Sequence, residues 1–94
     1  MSSSIFKDII TVRNSHGLHL RVASELAKLC RQFQATVTLS RLGGTPANIA
    51  SPLSLLTLAV TAGTQLEAVA EGPDAEQALA AVVEYFAKHS DAEK

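Results

Sequence analysis

The sequence contains no tryptophan, and aromatic residues make up only 4% of its 94 positions. A core must therefore be assembled from Leu, Val, Ile and Ala, with Phe33, Phe86 and Phe6 as its few large pieces. Cys30 is the only cysteine. No internal disulfide can form, which agrees with a reducing compartment. Neither sign of charge dominates: eight Lys and Arg against nine Asp and Glu leave a net charge of −1. A nucleic-acid binder would need a clustered basic excess, so that class is disfavoured. Long apolar runs are missing too. The most apolar segment, residues 53–60, is interrupted by Ser54 and Thr57. It falls far short of the roughly 20 residues a membrane helix needs. Met1-Ser2-Ser3-Ser4-Ile5-Phe6-Lys7-Asp8 shows no basic region leading into an apolar stretch, so no signal peptide is expected. These absences predict a soluble cytoplasmic protein without direct membrane insertion.

What remains is 47% hydrophobic and patterned. The length suits a single domain over residues 1–94, with an ordered core at about residues 5–89 and a polar tail at 90–94. Residues 5–12 are rich in β-branched side chains and predict a strand. Ala23, Leu26, Ala27, Cys30 and Phe33 fall at helical spacing, with Arg21, Ser24, Glu25, Lys28, Arg31 and Gln32 opposite them. They predict a helix over residues 20–32. Residues 36–40 alternate as a half-buried strand, and Gly43-Gly44 marks a hairpin into a short return strand at 47–50. Ser51-Pro52 opens a short helix to about residue 57, with Ser51 as its cap. Residues 65–71 read as a further strand. Asp74 and Gln77 have the spacing of a capping box for the last helix. Ala75, Ala78, Leu79, Val82 and Phe86 form that helix's apolar stripe, and Glu84 and Lys88 an i,i+4 pair.

The order is β-α-β-β-α-β-α. A right-handed crossover from the first strand to the second leaves a gap for the fourth. The prediction is an α+β fold: a two-layer open-faced β-sandwich, with a four-stranded antiparallel sheet of order 1-4-2-3 and three helices on one face. The same order of elements also permits a ferredoxin-like arrangement.

One stretch stands out, His16-Gly17-Leu18-His19-Leu20-Arg21-Val22-Ala23-Ser24. It joins a strand to a helix, with His19 where the helix begins. First-turn amides lack partners inside a helix and the helix dipole favours negative charge there, so the place suits an anion. Taken alone, a histidine at a helix start is usually a cap or a solvated residue, and Arg21 an ordinary surface charge. His16 reads as turn polarity. His16 and His19 with Cys30 or His89 could be imagined as a zinc site, but the spacing is too weak to support one. Cys30, on the apolar stripe, reads as packing.

Gly17-Leu18-His19-Leu20-Arg21-Val22-Ala23-Ser24 resembles the active-site signature G-[LI]-H-A-R-P-A of the histidine-containing phosphocarrier HPr of the phosphoenolpyruvate:sugar phosphotransferase system. The resemblance continues through the Gly43-Gly44 hairpin, Ser51 opening the second helix, and the turn at Gly63. It reaches Glu71-Gly72-Pro73-Asp74-Ala75-Glu76-Gln77-Ala78-Leu79, which is similar to E-G-x-D-A-x-x-A-L. It implies a stoichiometric carrier, not an enzyme. Enzyme I would phosphorylate His19 on Nδ1, and His19 would pass the group to sugar-permease A subunits or regulatory targets. Imidazole is nucleophilic when neutral and titrates near working pH. The backbone N–H groups of Leu20 and Arg21 would hold phosphoryl oxygens, and the Arg21 side chain would pair with them. Partner docking would use Ser24, Lys28, Arg31, Pro52, Leu53 and Leu56, an apolar patch rimmed by positive charge. No metal or cofactor is implied, and a monomer is expected.

The sequence departs from the signature where Leu20 replaces Ala and Val22 replaces Pro. A bulky Leu20 could filter partners, and Val22 restores an N–H to the first turn. Ser51 matches a serine that is phosphorylated for regulation in Gram-positive relatives. Here Ala50 and Pro52 flank it in place of the usual Lys and Ile or Leu, which argues against that regulation. Leu53 and Leu56 suit docking and burial equally. Two further functions stay open: a nitrogen-type regulatory phosphorelay carrier, and a non-phosphorylated interaction module that keeps the fold. The second has no need of His19 and Arg21.

Overall fold

A computed structural model of the chain describes residues 4–13 and 18–88. Its elements are β1 (Ser4–Thr11), α1 (Leu20–Cys30), β2 (Thr36–Arg41), β3 (Ala47–Asn48), α2 (Pro52–Leu56), β4 (Gln65–Gly72) and α3 (Ala75–Lys88). The strands form one sheet in the order β1-β4-β2-β3, and every pairing is antiparallel. This is the predicted α+β topology, and the strand order decides it against the alternative left open by the pattern. β4 is central. It pairs along its full length with β1, from Ser4 opposite Gly72 to Thr11 opposite Gln65, and along most of it with β2.

Alternation does the work in β4. Leu66, Ala68 and Ala70 point into the core and are fully buried, while Gln65 and Glu71 face solvent. The small Ala68 and Ala70 let the helices lie close to the sheet. Val37 and Leu39 from β2 and Ile10 from β1 complete the floor of the core. Val22, Ala23, Leu26, Ala27 and Cys30 of α1 cover it, with Ala75, Ala78, Leu79, Val82 and Phe86 of α3. Of the three phenylalanines only Phe86 is fully inside; Phe6 and Phe33 are half-buried against the cluster.

Two turns depend on glycine. Gly43, at φ +79°, lets the chain after β2 reverse, and Gly44 N–H closes the turn on the Arg41 carbonyl at 2.7 Å. Gly72, at φ +147°, lies so close to the start of β2 that a Cβ would sit 2.7 Å from Ala35 Cα.

Several local expectations are corrected. α1 ends at Cys30, not residue 32, because Gln32 and Phe33 donate to Leu29 and Cys30 in tighter turns. β3 stops at Asn48, whose side-chain oxygen takes the Ala50 N–H at 2.8 Å and folds the chain into a turn. Ser51 does occupy the start of α2, and its carbonyl accepts the Leu55 N–H. Its side chain makes no cap bond and accepts instead from the Ser54 hydroxyl at 3.0 Å. Asp74 precedes α3, but its carboxylate serves a distant partner. Its two oxygens accept the N–H groups of Gln34 at 2.9 Å and Ala35 at 2.7 Å. The capping-box reading of Asp74 with Gln77 fails for that reason. The Glu84–Lys88 pair is present at 3.3 Å and is fully on the surface. Residues 89–94 lie outside the described part.

Candidate functional site

The site segment is held from both sides. Leu18 is buried, and its N–H donates to the Val60 carbonyl at 3.4 Å. Val22 and Ala23 are buried one turn later. His19 therefore stands between two anchored residues, half-exposed, at the N-cap of α1. Its backbone is extended (φ −104°, ψ 176°), and its carbonyl accepts the Ala23 N–H at 2.9 Å. That is the first backbone bond of the helix. The N–H groups of Leu20, Arg21 and Val22 precede it and lie at the positive end of the helix dipole. No acidic residue occupies this first turn. His16 and Gly17 lie outside the described residues.

The predicted set of residues is only partly brought together. His19, Leu20 and Arg21 share the helix start, with Arg21 exposed and the Leu20 side chain 58% exposed. Val22, at the position of the signature's proline, turns into the core and keeps a backbone N–H that proline would lack. Of the docking candidates, Lys28 and Arg31 are exposed and Ser24 is half-buried along α1. α2 packs against α1. It separates its leucines: Leu55 is fully buried, Leu56 rests half-buried on the core, and Leu53 is 71% exposed. Pro52 is half-buried.

Two features around the site escaped the pattern. Tyr85, near the end of α3, donates its hydroxyl to Glu25 Oε1 on α1. Burial, then the bond to Glu25, pushes this phenol's pKa well upward, while the positive charge of Arg21 pulls against the shift. Glu25 and Tyr85 are thereby joined across α1 and α3 beside the helix start. Arg41 Nη1 donates to the Leu58 and Ala59 carbonyls at 3.2 and 3.0 Å. It thereby fixes the strip whose next residue, Val60, holds Leu18.

Cys30 lies at the far end of α1 and is buried. Burial raises its thiol pKa from 9.0 to about 11, which suits packing and not a nucleophile. Among the described residues no three His, Cys, Asp or Glu side chains gather as metal ligands. His89 lies outside the described residues. No described helix is long and apolar enough to cross a membrane.

The family model for the "PTS HPr component phosphorylation site" matches residues 6–88. The chain belongs to the HPr-type phosphocarrier family. It is 40% identical over 80 residues to the phosphocarrier protein NPr of Escherichia coli strain K12, covering 85% of this chain and 89% of NPr. It is 38% identical over 84 residues to the multiphosphoryl transfer protein of Salmonella typhimurium, covering 87% of this chain. The chain spans only 22% of that relative's length. Among solved structures it is similar to the phosphocarrier HPr of Bacillus anthracis, with a TM-score of 0.80 and 27% identity. That match covers 87% of this chain and 96% of the other. The HPr-like sheet and helices, and the HPr-type resemblance read from the signature, are thus both borne out.

Proposed function

We propose that His19 is the phosphoryl acceptor of this HPr-type carrier. The observation that carries the reading is its place: a half-exposed imidazole at the N-cap of α1, ahead of three first-turn amides and next to Arg21. Phospho-enzyme I would be the donor. The lone pair of His19 Nδ1 attacks phosphorus, the donor's N–P bond breaks, and the donor imidazole recovers its electron pair. The N–H groups of Leu20 and Arg21, joined here by that of Val22, would donate to the phosphoryl oxygens, and the Arg21 guanidinium would neutralise their charge. The reverse chemistry passes the group to a sugar-permease A subunit or a regulatory target. The protein is consumed and regenerated once per transfer, as a carrier and not an enzyme, and it acts as a monomeric domain in the cytoplasm. No cofactor or metal enters any step.

Docking of donor and acceptor is assigned to the face shared by α1 and α2. Leu20 and Leu53 offer apolar surface there, with Pro52 and Leu56 beside them and Ser24, Lys28 and Arg31 along the rim. Ser51 serves the fold: its hydroxyl is engaged by Ser54, and its flanks lack the residues a regulatory kinase would read. A second reading, the nitrogen-type regulatory carrier, is favoured by the similarity to NPr along nearly all of that protein. It changes the donor and acceptor and leaves the chemistry at His19 the same.

The deciding experiment is incubation with enzyme I and phosphoenolpyruvate, using sugar-type and nitrogen-type enzyme I in parallel, followed by intact-mass measurement. One acid-labile phosphoryl group is expected on the wild type and on His16→Ala, and none on His19→Ala. Which enzyme I charges the protein faster separates the two readings. An unchanged wild-type mass with the cognate enzyme of each kind refutes the carrier assignment and leaves the non-phosphorylated interaction module.

A further inference from the structure

Among the described residues Ala59 is the only one besides glycine with a positive φ, +53°. In that region Cβ of an L-residue crowds the carbonyl oxygen, so the surrounding structure must keep the chain there. Arg41 Nη1 reaches over from β2, donating to the Leu58 carbonyl at 3.2 Å and to the Ala59 carbonyl at 3.0 Å. Successive carbonyls of an extended chain point in opposite directions, and the curl at Ala59 is what brings these two to one nitrogen. The Ala59 N–H donates to the Leu56 carbonyl at 3.2 Å and ties the near end of the strip to α2. The next peptide, from Ala59 to Val60, has Arg41 as its one hydrogen-bond partner among the described residues. Val60 is buried, and its carbonyl accepts the Leu18 N–H at 3.4 Å. That bond is long, so its strength depends on where the Val60 carbonyl points. Leu18 immediately precedes His19.

We infer that Arg41 is a positioning residue for His19: by keeping Ala59 in its left-handed conformation it aims the Val60 carbonyl at the Leu18 N–H and so fixes the backbone that enters the site. The inference rests on the reading of His19 as acceptor. Burial of Leu58 and Val60 anchors their side chains on either side of Ala59, but it does not set the orientation of the peptide between Ala59 and Val60. Rotation of that peptide would relieve the crowding at Ala59 and turn the Val60 backbone away from Leu18. Two charge-assisted bonds from one guanidinium oppose the rotation. The consequence for transfer is geometric. An acceptor imidazole must meet phosphorus in line, and a misplacement of about 1 Å can slow such a step by up to about a hundredfold.

The test reads amide hydrogen exchange and phosphoryl transfer on the same variants. Arg41→Met keeps the aliphatic stem and removes the donors. It is expected to speed exchange at the Leu18 amide about tenfold, the scale of one lost charge-assisted hydrogen bond. Asp74→Ala is the control: it weakens the fold at the Gln34–Ala35 turn and should speed exchange at Ala68 in central β4 while leaving Leu18 unchanged. Transfer from enzyme I at low carrier concentration should slow about threefold in Arg41→Met and not at all in Asp74→Ala. Adding Ala59→Gly to Arg41→Met should slow Leu18 exchange again by about threefold and restore transfer in step, because glycine keeps the curl without a clamp and changes no charge. Unchanged Leu18 exchange in Arg41→Met overturns the inference, as does an equal rise in Asp74→Ala. So does full transfer by an Arg41→Met protein whose Leu18 amide is loosened. A transfer defect that Ala59→Gly leaves in place overturns it too, since Arg41 would then act through its charge on a partner. A wild type that takes up no phosphoryl group, with Leu18 exchange as expected, refutes the assignment of His19 and leaves the clamp on Leu18 standing.

Discussion

Replacing Asp74 by Ala is expected to cost about 2–3 kcal/mol of stability, although the residue lies far along the chain from the loop it holds. The carboxylate accepts two backbone N–H groups, from Gln34 and Ala35, at 2.9 and 2.7 Å. Hydrogen bonds to a charged acceptor contribute about 1.5–3 kcal/mol each. The Ala35 bond is part-buried and the Gln34 bond exposed, so the low end of that range applies, and solvent replaces part of the second. Asp74→Asn keeps one oxygen acceptor and turns an NH2 group toward the other N–H. It should lose about half as much. Urea unfolding followed by circular dichroism gives both numbers from the shift of the midpoint at constant slope. Amide hydrogen exchange adds a local check, because protection should fall first at Ala35. A loss below about 0.5 kcal/mol for Asp74→Ala would refute the clamp, since that is the scale of an ordinary surface substitution. Equal losses for Ala and Asn would show that the geometry of two separate acceptors is irrelevant.

Gly72→Ala should also destabilise, by about 2–4 kcal/mol in the same unfolding assay, because the new Cβ meets Ala35 backbone at 2.7 Å in a conformation that L-residues avoid. Cys30 predicts a pH effect: its thiol ionises near 9.0 when unfolded and about 11 when folded. The contribution is full below pH 9 and is lost as pH rises toward 11, by about 2 kcal/mol, so Cys30→Ala should show a shallower alkaline slope than wild type. Leu20→Ala should leave the unfolding midpoint nearly unchanged, since the side chain is 58% exposed, while raising the KM for enzyme I in the phosphotransfer assay.

The elements that could be read from the sequence are those whose pattern is local and long. The stripe of Ala75, Ala78, Leu79, Val82 and Phe86 is buried as its spacing requires. His19 falls at the N-cap because a β-branched run ends before it and helical spacing begins after it. α2 shows the limit: five residues are too few for a period, so Leu53, Leu55 and Leu56 could be sorted only by the fold. Asp74 shows another. Its spacing to Gln77 suited a local cap, but two donors about 40 residues away compete for the same oxygens and win. The Glu25–Tyr85 bond was equally invisible, because nothing local relates α1 to the end of α3.

These long-range ties explain how an exposed site can also be a defined one. On the proposed reading of His19 as acceptor, its imidazole must stay accessible to a donor and then to an acceptor, so the site cannot gain order by burial. Order comes from beneath. Leu18 and Val22 are buried on either side of His19, the Leu18 N–H is bound by Val60, and the strip before Val60 is held through its carbonyls by Arg41. The substitution of Val22 for the signature's proline fits this arrangement. Proline would fix the backbone of the first turn directly. Valine gives up that constraint, but its branched side chain is 7% exposed in the core and anchors the same turn by packing. It also keeps an N–H in the first turn, directed where an anion's charge would lie. The exchange leaves Leu20 facing solvent beside His19, 58% exposed, an apolar surface larger than the signature's alanine would offer.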